Sequence, residues 1–161
     1  VYKRQEMGFL LIFDEVITGF GRMGTAFAGQ RFGVEPDIMT MAKALTNGAI
    51  PMGGVAVSDK IYKTITEAGS EKGIEFYHGY TYSAHPAACA AGIAALGIYE
   101  RENLFDKAAS MENCFLDQVF SLQDIGVVTD IRGIGMLAAL DLATLDGTPG
   151  ARGAGAVKDR Y

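Results

Sequence analysis

Phe9-Leu10-Leu11-Ile12-Phe13-Asp14-Glu15 is an unbroken apolar run that stops on two carboxylates. Apolar residues without polar alternation are the pattern of a strand buried on both faces, as in a parallel sheet. Pro36-Asp37 opens a second short run, Ile38-Met39-Thr40-Met41-Ala42, and Val55-Ala56-Val57 is a third. Ser58 is placed to cap a helix to about Glu67, with Asp59 in its first turn. Ser83 is placed to cap a small-residue helix over 84–100, with Pro86 in its first turn, and an amphipathic helix follows over 103–122. Strands and helices alternate, so the expected class is α/β with a mainly parallel sheet. Further on, Val127 to Arg132 and Met136 to Leu142 read as strands separated by a bend at Gly133-Ile134-Gly135. The expected division is residues 1–100 as part of a larger α/β domain ending in a long connecting helix, and residues 101–161 as the beginning of a smaller α+β unit.

The chain has 161 residues, of which 49% are hydrophobic, enough for a core and too many for intrinsic disorder. Its net charge of −5 argues against a basic nucleic-acid or membrane surface. Cys89 and Cys114 lack metal-type spacing and read as reduced core thiols, the usage of a cytoplasmic protein. His78 and His85 have no third ligand at metal spacing, so no metal site is expected. There is no starting Met, little room before the first strand, and a polar loop over 69–79. The last stretch, from Thr144 to Tyr161, is glycine-rich and ends without a cap. The expectation is a fragment of a longer enzyme, in which Val1 to Gln5 need not belong to the fold.

Gly19-Phe20-Gly21-Arg22-Met23-Gly24 fits the G-x-G-x-x-G dinucleotide fingerprint, and Asp37 stands near the place of a ribose-binding acid. Against this, Asp14 to Thr18 intervene between strand and glycines, and Thr25 to Gly29 make a poor crossover helix. Asp37 also stands at the start of its strand rather than the end. The competing reading makes these glycines a tight loop beside a ligand.

Asp14 ends the first strand and Lys43 follows the second, so both stand at one edge of the sheet, where open α/β folds bind ligands. Lys43, between Ala42 and Ala44, is expected to be desolvated and therefore nucleophilic. A lysine that can capture an aldehyde and an acid that keeps a ring nitrogen protonated are what pyridoxal phosphate requires. A plain Asp–Lys ion pair satisfies the same spacing.

Asp14-Glu15-Val16-Ile17-Thr18-Gly19-Phe20-Gly21-Arg22, Ala42-Lys43-Ala44-Leu45-Thr46-Asn47-Gly48 and His78-Gly79-Tyr80-Thr81-Tyr82-Ser83-Ala84-His85-Pro86 together resemble the signature of class III aminotransferases, which are fold type I pyridoxal-phosphate enzymes. The wording is most similar to the branch that transfers amino groups between β-alanine or other omega-amino acids and pyruvate. The resemblance implies that Lys43 binds the cofactor aldehyde and shuttles the substrate proton. It implies that Asp14 bonds the ring nitrogen, that Val16 packs on one face of the ring, and that Thr81 binds the phosphate of a neighbouring subunit's cofactor, in a homodimer or higher homo-oligomer. Many relatives carry Gln where this chain has Ile17, and its absence matches the omega-amino acid branch. The family's upstream phosphate loop, stacking aromatic and downstream substrate arginine are missing, so the chain alone is not expected to be active. The alternatives are another class III aminotransferase or aminomutase, a NAD-binding oxidoreductase built on Gly19 to Gly24, and a non-catalytic oligomerisation module. Glu15 is expected to make a buried hydrogen bond or ion pair rather than chemistry, and Arg22 to anchor the glycine loop or meet a carboxylate.

Overall fold

The computed structural model describes residues 2–69 and 78–143. In chain order these form α1 (Tyr2–Met7), β1 (Ile12–Asp14), α2 (Ala28–Phe32), β2 (Ile38–Met41), a 3-10 turn (Lys43–Leu45), β3 (Gly54–Val57), α3 (Asp59–Glu67), α4 (Pro86–Arg101), α5 (Leu104–Phe120), β4 (Val128–Ile134) and β5 (Leu137–Leu142). Most of the loop expected over 69–79, and all of the stretch from Thr144, lies outside the described residues.

β1 and β2 run parallel, with Asp14 opposite Thr40. β3 joins the other edge of β2 antiparallel. The connection from Met41 to Gly54 explains the direction. It holds only one 3-10 turn and no crossover helix of the kind that usually joins parallel strands.

The apolar run from Phe9 is not a strand buried on both faces. Ladder pairing begins at Leu11, whose carbonyl accepts the Asp37 and Ile38 N–H groups, while the Phe9 N–H turns back to the Arg4 carbonyl. Ile12 remains 58% exposed. Within the leading stretch Arg4 does belong to the fold: its Nη1 meets Asp37 Oδ2 at 2.7 Å, and the Leu11 N–H donates to the same oxygen.

Helix boundaries follow backbone chemistry. Pro86 occupies the first turn of α4, where its missing N–H costs nothing. His85, not Ser83, is the N-cap residue, because Ala84 takes a left-handed φ of 57° and separates Ser83 from the helix. Ser58 stands at the N-cap of α3, yet its hydroxyl makes no cap bond and only its carbonyl accepts the Tyr62 N–H. The small residues of α4 serve close approach. Ala88, Gly92 and Ala95 are buried, and a Cβ on Gly92 would touch the Leu45 carbonyl and the Met52 sulfur. Neither cysteine is a core thiol: Cys89 is half-buried, and Cys114 is exposed on α5.

β4 and β5 form an antiparallel hairpin. Its turn is Gly135-Met136, one step beyond the expected bend, and Gly135 has φ +60° while Met136 does not enter the positive region. Positive φ at the first turn position is what glycine supplies most cheaply. The Met136 N–H donates to the Arg22 carbonyl at 2.7 Å, so the hairpin tip is tied to the glycine loop. Gly24 completes that joint. Its φ is +72°, and a Cβ there would lie 3.0 Å from the Ala109 Cα on α5.

Candidate active site

Parallel pairing of β1 with β2 sets the site's frame. Asp14 faces Thr40 across the ladder, and Lys43 follows three residues later. Strand residues advance ~3.3 Å and neighbouring strands lie ~4.8 Å apart, so the Asp14 and Lys43 Cα atoms are within about 11 Å. Asp14 Oδ1 accepts two bonds, from the Val16 N–H at 3.1 Å and from the Thr40 hydroxyl at 3.2 Å. These fix the carboxylate plane and leave Oδ2 without a partner among the described residues. Val16 is half-buried, held beside Asp14 by that same bond.

Lys43 has φ +45°, a left-handed conformation that an L-residue adopts at a cost of about 1–3 kcal/mol. Several hydrogen bonds offset it, each worth about 0.5–1.5 kcal/mol net. The Lys43 carbonyl accepts the Thr46 and Gly48 N–H groups, and the Ala42 carbonyl accepts the Leu45 N–H. The Ala44 carbonyl accepts both the Asn47 N–H at 3.2 Å and the Tyr99 hydroxyl at 2.6 Å. The buried Thr46 hydroxyl donates to the Ile50 carbonyl at 2.6 Å.

The expected desolvation of Lys43 is not found, because its side chain is exposed. The neighbouring alanines are half-buried but too small to cover it. Asp14 is exposed too. No ion pair joins them: among the described residues the salt bridges are Arg4–Asp37, Arg31–Glu112, Arg101–Glu102 and those of Arg132 with Asp130 and Asp141. No Asp14–Lys43 pair is among them. What remains is an amine and a carboxylate oxygen, both unengaged, on one sheet edge. That donor set fits a group carrying an aldehyde and a basic ring nitrogen.

Thr81 is exposed in a turn, and among the described residues its hydroxyl bonds nothing. The structure brings Asp14, Val16 and Lys43 to one edge but makes no bond from Thr81 to any of them.

Glu15 is 1% exposed and acts as a distant cap. Its two oxygens accept the Gly29 N–H at 2.9 Å and the Ala28 N–H at 3.0 Å, satisfying the first turn of α2, whose N-cap Phe27 has no polar side chain. The Thr18 hydroxyl also donates to it. Arg22 anchors the glycine loop through its carbonyl rather than its guanidinium.

The dinucleotide alternative fails on geometry. Gly19, Gly21 and Gly24 open no helix, and Asp37 is committed to Arg4 and the Leu11 N–H. An open groove of about 340 Å³ beside α2, lined by Phe27, Gln30, Val34 and Met39 among others, contains neither Asp14 nor Lys43.

Sequence reasoning missed Thr40, Tyr99 and the Arg31–Glu112 pair. Each is linked to its partner across 26, 55 and 81 residues respectively, and no local pattern marks such a link.

Residues 4–149 match the family described as Aminotransferase class-III. The chain is 53% identical over 143 residues to an omega-aminotransferase of Caulobacter vibrioides, a match covering 89% of this chain and 32% of that protein. It is 51% identical over 144 residues to a beta-alanine–pyruvate aminotransferase of Pseudomonas aeruginosa, again covering 89% and 32%. A crystal structure of an (S)-enantioselective omega-transaminase from Thermomicrobium roseum superposes with a TM-score of 0.81 at 42% identity, over 88% of this chain and 31% of that one. The chain thus spans about a third of the length of the curated relatives it matches.

Proposed function

The chain belongs to the class III aminotransferases, a pyridoxal-phosphate-dependent family, and from that premise we propose that it is the lysine-bearing part of an omega-amino acid–pyruvate aminotransferase. The observation that carries the reading is the unengaged pair, Lys43 and Asp14 Oδ2, on one sheet edge with no ion pair between them. Identity of 53% to an omega-aminotransferase and of 51% to a beta-alanine–pyruvate aminotransferase supports that donor and acceptor.

When bound, pyridoxal phosphate supplies an aldehyde that an amine can capture and a ring that accepts the electrons left on the donor's carbon. Lys43 is the amine. Its free amine would serve as the general acid–base that moves the proton at the donor's carbon. Asp14 Oδ2 would hold the proton of the ring nitrogen, while the Val16 N–H and the Thr40 hydroxyl keep that carboxylate oriented through Oδ1. Val16, half-buried beside Asp14, would pack against the ring. Thr81 binds phosphate in a neighbouring subunit's site, a role supported by its exposed hydroxyl, and this makes a homodimer or larger homo-oligomer the active form. Residues 1–100 belong to the large cofactor-binding domain and 101–161 begin the small one, a division supported by the break between α4, which ends at Arg101, and α5, which begins at Leu104. No described helix is long and apolar enough to cross a membrane. Two free cysteines support a cytoplasmic setting.

The test is absorbance of the full-length protein. A yellow band that borohydride bleaches, and that Lys43→Ala abolishes together with β-alanine–pyruvate turnover, is the expected result. A band surviving in Lys43→Ala, or a colourless protein that binds NAD, would overturn the reading.

A further inference from the structure

Tyr99 stands on α4, far in sequence from the lysine-bearing turn, yet its hydroxyl donates to the Ala44 carbonyl at 2.6 Å. The other hydrogen bonds that hold Lys43–Leu45 come from residues 42–50, within the turn itself. The Tyr99 bond is the one among the described residues that ties this turn to a separate element. Resting on the aminotransferase reading above, we propose that Tyr99 is a positioning residue for Lys43: its hydroxyl fixes the strained left-handed backbone from which the reactive lysine side chain departs.

The ring that carries the hydroxyl is itself fixed. Phe20 of the glycine loop stacks on it at 6.2 Å between centroids, and Phe105 of α5 lies at 5.7 Å. Gly92, two turns earlier on α4, lets the helix approach the same segment, since a Cβ there would already touch the Leu45 carbonyl at 3.6 Å. One helix therefore meets the Lys43 turn twice, by close packing and by a directed bond. Burial raises the Tyr99 phenol above its usual 10.0, against a smaller opposing effect of Arg22, so the hydroxyl stays a donor across the working pH range.

The arrangement separates positioning from folding. Tyr99→Phe keeps the ring between Phe20 and Phe105. The Ala44 carbonyl keeps its bond from the Asn47 N–H, so no buried acceptor is orphaned. What is lost is the tether on the lysine's backbone. Misplacing a reacting group lowers the rate of chemistry without weakening uniform substrate binding.

The experiment compares wild type and Tyr99→Phe in the full-length protein. For the variant we expect kcat to fall about tenfold or more with KM for β-alanine and for pyruvate within about twofold. Amide hydrogen exchange over 45–48 should quicken, and the thermal midpoint should stay within a few degrees of wild type. Unchanged kcat and exchange would overturn the proposal. So would a large drop in thermal midpoint with normal turnover per cofactor-loaded site, which is the mark of a structural role alone. A wild-type protein without the borohydride-sensitive band fails at the underlying reading instead, and the inference falls with it.

Discussion

Arg31 on α2 and Glu112 on α5 face each other as a two-pronged pair, with nitrogen–oxygen distances of 2.8 and 3.0 Å. Glu112 Oε1 also accepts the Gly135 N–H at 2.9 Å. A single carboxylate thus joins the helix behind β1, the helix after α4 and the tip of the β4–β5 hairpin. Arg31's hydrogen bond first, then the Gly135 N–H, hold the Glu112 carboxyl below its ordinary 4.5, against a smaller opposing effect of burial. A carboxyl lowered in the folded state stabilises the fold fully above its unfolded value, and the contribution fades as pH falls toward the lowered one. Glu112→Gln should therefore lower the thermal midpoint at pH 7, and the gap from wild type should close as pH drops below about 4.5. A gap independent of pH would refute this account; paired thermal melts across pH 3–7 measure it.

Glu15 is buried among donors, so its replacement should register in stability before chemistry. Glu15→Gln turns one oxygen into an NH₂ group facing the Ala28 or Gly29 N–H, and we expect a loss of about 1–3 kcal/mol. Urea unfolding with an unchanged slope and a lower midpoint is the measurement.

Gly24 and Gly33 both have positive φ, but only Gly24 has a neighbour in the way. A Cβ on Gly24 meets the Ala109 backbone, whereas one on Gly33 meets nothing within 4 Å. Gly33→Ala should cost about 1–2 kcal/mol of backbone strain, and Gly24→Ala should exceed it by a further 1–3 kcal/mol of overpacking. Equal losses in urea titrations would refute the packing role of the glycine loop.

Asp14→Asn keeps the hydrogen bonds to Oδ1 possible but removes the negative charge at Oδ2. Turnover should fall on the order of 10²–10³-fold, while the lysine-linked absorbance band still forms. Loss of the band along with turnover would assign Asp14 to cofactor binding alone.

Several features were legible in the chain. The strand ending at Asp14 and the lysine following the second strand are both recognisable from apolar runs and the residues that stop them. Parallel pairing then puts these positions on one edge, as expected. The small-residue helix was readable from composition, and its packing against Leu45 and Met52 gives the reason. The backward turn of β3 was not readable, since its direction depends on how tightly 42–53 folds rather than on any residue within the strand. Nor was the exposure of Lys43, because alanine neighbours look apolar in sequence yet cover little in space.

Apart from the short helices α1 and α2, local reading of the chain places the order of elements and sets Asp14 at the end of its strand and Lys43 just after the next one. These are set by propensities and spacings that act over a few residues. Packing between elements settles the rest: Glu15 caps α2, Arg31 and Glu112 clip the hairpin to α2, and Tyr99 grips the turn bearing Lys43. Those bonds join residues 13 to 81 positions apart, where contact depends on how whole elements pack and leaves no periodic trace along the chain.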